Sequence, residues 1–216
     1  MNIALICEGV SEINMITNLI QRYTGISSIT PIQPKILSNS KQNGYGSYQG
    51  VISHCNNKVI KNALDSGNDF VVIQIDTDVS KDYVPNFSLQ WSERELFDEI
   101  CKFLLKDINQ EYHDKIIFAI CFNETECWFL PFFYSDNKKC KITGCVETLN
   151  RALKKGNYIS VTHDKNCEGS QKAYKEVFSK LRDNKRNIKE YSQYNFGFKK
   201  FIEDIDKKLL KIETEE

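Results

Sequence analysis

The sequence lacks a net charge and long apolar runs, and both absences restrict what the protein can be. Its 29 Lys and Arg residues are balanced by 29 Asp and Glu residues, so no global positive field draws nucleic acid or an anionic membrane onto it. A polyanion must therefore meet a local patch or a bound cation. No apolar run approaches the length of a membrane span, and Met1 to Glu8 enters a strand pattern rather than a signal segment. We therefore expect a cytoplasmic protein without a membrane partner.

Sequence signatures of zinc sites and of nucleotide binding are also missing or weak. No CxxC pair occurs, and the pairs Cys140 with Cys145 and His163 with Cys167 only loosely resemble zinc ligands. The absence of a P-loop disfavours a nucleotide-binding phosphotransferase. Four of the cysteines lie in apolar segments, where we expect them to be reduced and buried: Cys7, Cys101, Cys121 and Cys127.

The order of apolar and amphipathic segments predicts an α/β fold. Continuous or alternating apolar runs predict four strands, and the segments between them have helical periodicity, which favours a mostly parallel sheet flanked by helices. The strands are expected at Asn2–Cys7, Pro31–Leu37 (an edge strand), Asp69–Ile75 and Lys115–Phe122. The helices are expected after Glu8 with Ser11 as the cap, from Tyr48 to a stop at Ser66-Gly67, and from Ser92 to about Lys106.

The rest of the chain is expected to be helical in pieces. These pieces are Glu126–Tyr134, Val146–Lys154, Ser170–Asp183 and Gly197 to about Ile212, with polar connectors at Ser38–Ser47 and Lys185–Tyr194. With 216 residues, we expect an α/β core over residues 1–135 and a mainly helical extension over residues 136–216 packed on it.

Acidic residues follow three of the predicted strands. Glu8 follows the first, Asp76 and Asp78 follow the third, and Glu124 with Glu126 follow the fourth. Parallel strands present their carboxyl ends at one edge of a sheet, where ligands bind. Crowded carboxylates repel each other unless protonation removes the charge or a divalent cation neutralises it; a metal is the simpler solution, and Mg²⁺ suits hard oxygen ligands. The sequence therefore predicts an Mg²⁺ site at this edge, which Mn²⁺ could also occupy.

Each of these motifs taken alone has a structural alternative. Side chains two residues apart on a strand point in the same direction, so Asp76 and Asp78 could bind one metal. Most Asp-x-Asp pairs, however, are solvated turns or helix caps. Glu8-Gly9 could equally be a capped turn from strand to helix. Glu124 or Glu126 could face solvent.

Taken together, these segments resemble the TOPRIM domain. The resemblance rests on Ile3-Ala-Leu-Ile-Cys-Glu-Gly-Val-Ser-Glu12 and Val71-Val-Ile-Gln-Ile-Asp-Thr-Asp78. With Glu124-Thr-Glu-Cys-Trp128 added, the chain is similar to small stand-alone TOPRIM proteins of bacteria that resemble OLD-type nucleases. The resemblance covers about Asn2 to Leu130 and predicts a Rossmann-like core.

The resemblance implies roles for five acidic residues. Glu8, Asp76 and Asp78 would be catalytic and would organise Mg²⁺ for phosphoryl transfer, with Glu8 as the general acid or base. Glu12 matches the second acidic position of the first motif, and Glu126 is favoured over Glu124 because it lies two residues before Trp128. The expected metal ligands are thus Glu8, Glu12, Asp76, Asp78 and Glu126.

The expected activity is Mg²⁺-dependent hydrolysis of phosphodiester bonds in DNA or RNA, in a bacterial defence or repair system. No further large domain supplies a topoisomerase tyrosine, a primase zinc module or an ATPase. We therefore expect hydrolysis rather than strand passage or priming. The alternative is a binding module that acts only with an ATPase partner or has lost catalysis, which the neutral charge and the lack of a basic stripe favour. The oligomeric state stays open, with a homo-oligomer as one option.

Some other residues have weaker signals. Lys165 or Lys172 could contact a phosphate if the segment near His163 and Asp164 folds over the site, although a solvated loop is the simpler interpretation. His54 is expected at a surface or in the core rather than as a ligand. The aromatic residues between Trp128 and Tyr134 could stack on bases, but such density usually marks a core or an interface.

Overall fold

The computed structural model describes residues 1–35, 47–162, 165 and 167–210. Several predicted features lie outside the described residues: the loop from Ser38 as far as residue 46, the strand end at Leu37, and the two side chains of His163 and Asp164. In the part of the chain that is described, no helix combines the length and the apolar character needed to cross a membrane.

Four parallel strands form the centre of the fold. They are β1 (Asn2–Ile6), β2 (Ser28–Gln33), β3 (Phe70–Asp76) and β4 (Ile116–Cys121), and their spatial order is β2-β1-β3-β4. All three neighbouring pairs are parallel. The predicted α/β class with a four-stranded sheet is confirmed, and the sheet is entirely parallel. The second strand lies at the edge as expected, but it begins earlier, at Ser28 rather than Pro31.

Helices cover both faces of this sheet. The described helices are α1 (Val10–Thr24), α2 (Tyr48–His54), α3 (Asn57–Asp65), α4 (Glu93–Leu105), α5 (Cys145–Lys155), α6 (Glu168–Asp183), α7 (Ile188–Ser192) and α8 (Phe196–Ile205). A 3₁₀ segment at Thr125–Phe132 follows β4, and a π-helical turn at Asp206–Leu210 follows α8.

Alternate strand residues pack into two separate cores. Ile3, Leu5 and Val72 belong to the core shared with α1, α6 and α8. Ala4 and Ile73 belong to the core on the opposite face, which α2, α3 and α4 complete. Because both faces are covered, every residue of β3 and β4 is buried, as the continuous apolar runs predicted.

The helices of residues 136–210 pack directly on the sheet. A side chain at Gly197 in α8 would place its Cβ 2.0 Å from the carbonyl oxygen of Ile120 in β4. Only a residue without a side chain allows this approach of a helix to a strand. The extension therefore shares a core with β1 and β4, and the boundary between residues 135 and 136 stays a prediction.

Several predicted helix ends were wrong for local reasons. The single helix expected from Tyr48 to Ser66-Gly67 is two helices, because the side chain of Asn56 accepts a hydrogen bond from the N–H of Val59 and starts α3. The cap of α1 is Gly9 rather than Ser11, whose hydroxyl donates to Glu12 instead. The segment expected as a helix at Glu126–Tyr134 is 3₁₀, and the connector after Lys185 contains α7.

The expectation for one cysteine was also wrong. Cys127 forms a disulfide with Cys145, which joins the 3₁₀ segment to the start of α5. Cys7, Cys101 and Cys121 are free, and Cys7 and Cys121 are buried as expected, whereas Cys101 is partly exposed. With Cys145 bonded to Cys127, the loose zinc pair of Cys140 and Cys145 loses one ligand.

Candidate active site

Three chain segments bring acidic side chains to the carboxyl edge of the sheet. Glu8 follows β1, Glu12 lies in the first turn of α1, Asp76 ends β3, and Glu126 lies in the 3₁₀ segment after β4. Asp76 and Glu12 are only 8% and 6% exposed, and Glu126 is fully buried. We call these four residues the acidic site.

Hydrogen bonds fix Glu8 and Asp76 against each other. The backbone N–H of Asp76 donates to Oε1 of Glu8 at 2.8 Å, and the N–H of Glu8 donates to Oε1 of Gln74 at 3.1 Å. Oδ1 of Asp76 accepts from Nε2 of Gln74 and from the hydroxyl of Thr125, both at 2.8 Å. The first half of the acidic site is therefore held by a network that joins β1, β3 and the 3₁₀ segment.

Lys165 holds the second half of the acidic site. Its ammonium nitrogen lies 3.2 Å from Oε1 of Glu12 and 2.9 Å from Oε1 of Glu126. Oε1 of Glu126 also accepts a hydrogen bond of 2.5 Å from the hydroxyl of Tyr174 in α6. A lysine from the segment before α6 thus bridges α1 and the 3₁₀ segment.

The proton affinities reflect this crowding of negative charge. Burial raises the pKa of Glu8 to about 8, although the donating N–H of Asp76 opposes this, and Glu12 and Asp78 raise it further. Burial and the nearby Glu8 raise the pKa of Asp76 well above its usual range. Burial alone would lower the pKa of Lys165, but the adjacent carboxylates outweigh it and raise the pKa.

The remaining predicted residues have different surroundings. Asp78 is exposed, but it lies close enough to raise the pKa of Glu8. Glu124 points away from the acidic site, and its Oε2 accepts from the N–H groups of Cys145 and Val146 at the start of α5. Lys172 pairs with Glu168 at 2.6 Å on the surface. The structure thus brings Glu126 rather than Glu124 into the acidic site.

Two other expectations concerned histidine and aromatic residues. Nδ1 of His54 lies 2.8 Å from the carbonyl oxygen of Gly50, one turn earlier in α2, which fits the expected structural histidine. Trp128 and Phe129 are fully buried, so the core interpretation is confirmed for them. Phe133 and Tyr134 remain partly exposed.

The carboxylates of the acidic site are spread rather than converged on a point. Among the described residues, the group of three whose ligand atoms lie within 4.8 Å of one another is Glu124, Cys127 and Cys145. Two of these are disulfide-bonded and Glu124 caps α5, so this group has a structural role. In the acidic site the ammonium of Lys165 separates Glu12 from Glu126.

Gln74, Thr125 and Tyr174 belong to the site but were not predicted from the sequence. Gln74 did carry a signal, since it is a lone polar residue inside an otherwise apolar buried strand and must find hydrogen-bond partners there. Thr125 lies between two candidate glutamates. Tyr174 carried no signal, because it reaches Glu126 across 48 residues of chain.

The fold and the site define an α/β protein with a buried acidic site at the carboxyl edge of a parallel sheet. Comparison of the chain with protein-family models, with curated proteins and with solved structures finds no match. The functional assignment therefore depends on the geometry of this site and on the motif residues.

Proposed function

We propose that this chain is a Mg²⁺-dependent phosphodiesterase of nuclease type with a TOPRIM-like catalytic core. The observation that supports it is the meeting of Glu8, Glu12, Asp76 and Glu126 at the carboxyl edge of the sheet, where Glu8 is partly exposed and the other three are buried. A protein gains no stability from carboxylates crowded in this way unless cations or protons compensate them. Such an arrangement is typical of a catalytic or metal-binding site.

The residues present fit a divalent cation. Among the described residues, Lys165 is the cation paired with the acidic site, so negative charge remains in excess. Oε2 of Glu126 is buried without a hydrogen-bond partner, which leaves one hard oxygen ligand free. Because the carboxylates do not converge on one point, some of them would hold the ion through bound water molecules, several of which Mg²⁺ commonly keeps. Mn²⁺ would fit the same oxygen ligands.

The proposed roles follow from the position of each side chain. Glu8, Asp76 and the exposed Asp78 would bind the cation on its solvent side, and Glu12 and Glu126 would complete its carboxylate ligands on the buried side. When bound, such a cation lowers the pKa of a water molecule and stabilises charge on the scissile phosphate. Glu8 is the general acid or base, because a pKa of about 8 lets it exchange protons near neutral pH.

Cleavage assays with single-stranded and duplex DNA and RNA test this proposal. We expect cleavage with Mg²⁺ or Mn²⁺, none with EDTA, and a loss of at least about a hundredfold in Asp76→Asn, since charge stabilisation at the metal supplies most of the catalysis. Glu124→Gln is the matched control, because Glu124 belongs to the same motif but caps α5. Absence of cleavage, or equal cleavage by Asp76→Asn, would refute the proposal.

A second candidate function is a binding module that acts only with an ATPase partner, in the cytoplasm of a bacterium with a defence or repair system. The position of Lys165 favours it, because its ammonium already compensates Glu12 and Glu126. In that case the isolated chain would be inactive and Lys165 would have to withdraw. Cleavage that appears only when a partner ATPase is added would support this candidate over the first.

A further inference from the structure

The neutral net charge of this chain hides a separation of charge along the sequence. Residues 138–189 contain 14 Lys and Arg residues but 5 Asp and Glu residues, while the rest of the chain contains 15 basic and 24 acidic residues. The neutral total therefore does not exclude a local basic region, because opposite excesses cancel in the total. Such asymmetry within one chain is typical of a protein that binds a polyanion.

Lysines of this basic region line three clefts whose linings share residues. The first and second, with volumes of about 390 and 400 Å³, share Phe133 and Tyr134 in their lining. The second and third meet at Tyr158, and the third has a volume of about 320 Å³. We call these clefts together the aromatic–lysine track.

Lysines line every cleft of the track. Lys139 lies in the first, Lys155 and Lys180 in the second, and Lys172 and Lys175 in the third. Two acidic residues, Glu190 and Glu176, line the first and third clefts. The lining thus combines excess positive charge with aromatic rings.

Tyr158 is held in an exposed position by its local backbone. Asn157 has a φ of 58°, which turns the chain after α5, and the N–H of Tyr158 donates to the carbonyl of Leu153 at 2.9 Å. The ring lies across Gly156, where a Cβ would come within 2.4 Å of it. Tyr158 and Ile159 are 40% and 52% exposed. A fixed, exposed ring between lysines is a suitable stacking surface for a base.

Helix α6 connects the track to the acidic site. Tyr174 in this helix donates to Glu126, and Lys172, Lys175 and Lys180 of the same helix line the track. At a rise of about 1.5 Å and a turn of about 100° per residue, Lys172 lies roughly 3 Å along the helix axis from Tyr174 but on the opposite side of the helix. Lys172 is exposed and Tyr174 is buried, so α6 lies between the track and the acidic site.

We propose that the aromatic–lysine track binds single-stranded nucleic acid, with bases stacked on Tyr158, Phe133 and Tyr134 and phosphates near the lysines. This inference rests on the proposed function, since it names the substrate class of the acidic site. A single strand fits better than a duplex, because only unpaired bases can offer a face to aromatic rings in separate clefts.

Binding measured without metal tests the track separately from cleavage. Labelled oligothymidylate and oligouridylate are titrated in EDTA by fluorescence anisotropy, with a duplex of equal length for comparison. We expect Tyr158→Ala to weaken single-strand binding by about 5- to 150-fold, whereas Tyr158→Phe, which keeps the ring, should bind like the wild type. Lys155→Ala and Lys175→Ala should each reduce the slope of log affinity against log salt by about 0.7.

The control variant is Lys58→Ala, which removes an exposed lysine from α3 on the other face of the sheet. Equal losses in Lys58→Ala and Lys155→Ala, equal affinity for duplex, or unchanged binding by Tyr158→Ala would overturn the track. If these substitutions weakened the binding of a protein partner and left oligonucleotide binding unchanged, the track would also be overturned.

The two proposals fail in different ways. Binding in EDTA without any cleavage in Mg²⁺ would refute the nuclease and leave the track. Cleavage with an unchanged KM in Tyr158→Ala would refute the track and leave the nuclease. Thermal melting of each variant confirms that the exposed substitutions leave the fold intact.

Discussion

Replacement of Lys165 by Met should reveal how strongly the acidic site needs a cation. The ammonium of Lys165 lies within 3.2 Å of both Glu12 and Glu126, and Glu126 is fully buried. Removal of one partner of a buried ion pair costs about 3–5 kcal/mol, because the other charge stays buried without compensation. The side chain of Lys165 is 28% exposed and Tyr174 still donates to Glu126, so we expect the lower end, about 3 kcal/mol.

The assay is unfolding of the metal-free protein by urea and by heat, followed by circular dichroism. For a chain of this size, 3 kcal/mol corresponds to a decrease in Tm of about 6–12 °C. Added Mg²⁺ should restore more stability to Lys165→Met than to the wild type, because a cation then replaces the missing ammonium. A double variant that also carries Glu126→Gln should recover part of the loss without metal.

The matched control is Lys172→Met. Lys172 pairs with Glu168, and both side chains are more than half exposed, so its loss should change the free energy of unfolding by less than about 1 kcal/mol. If Lys165→Met were as stable as Lys172→Met in EDTA, the acidic site would not depend on its lysine. If Mg²⁺ stabilised neither protein, the cation site itself would be refuted.

Two further predictions concern pH and packing. The pKa of Glu8 is raised from 4.5 to about 8, so the metal-free protein should lose stability as pH rises between these values. Glu8→Gln should flatten that part of a curve of Tm against pH. An equal slope in the wild type and the variant would contradict this. Gly197→Ala should lower the free energy of unfolding in urea by at least about 1–3 kcal/mol, because its Cβ would meet the backbone of β4. Gly169→Ala in α6 is the control and should not destabilise the protein, since its Cβ would make only ordinary contacts. Equal urea midpoints for the two variants would contradict the prediction and show that α8 can move away from β4.

The strands could be predicted because burial on both faces leaves a simple trace in the sequence. Continuous apolar runs marked β3 and β4 to within a residue or two, and the change from apolar to charged residues marked Asp76. Helix ends were less predictable, since single side-chain hydrogen bonds decide them. The break at Asn56 and the cap at Gly9 are examples, and no periodicity encodes either.

The acidic half of the site could be predicted, whereas Lys165 entered the prediction only as an alternative to a solvated loop, and Gln74, Thr125 and Tyr174 not at all. Glu8, Asp76 and Glu126 follow strands, so the topology of a parallel sheet brings them together. Lys165 meets Glu12 across 153 residues, and such a contact depends on how the segment before α6 folds back over the sheet. Gln74 was the one overlooked residue whose sequence context demanded a partner.

The two proposals together explain why an acidic site and a basic surface occur in one neutral chain. Uncompensated carboxylates repel a phosphate backbone, so the acidic site alone would reject the substrate on which it is proposed to act. Under these proposals the lysines along α6 would attract the strand, and a cation in the acidic site would remove the remaining repulsion where the strand enters. Binding of the cation and of the strand should then strengthen each other by the same factor, since coupling between two ligands is reciprocal. Lys165 compensates Glu12 and Glu126 in the absence of metal, and its carbonyl oxygen accepts a hydrogen bond from Gln171 in α6.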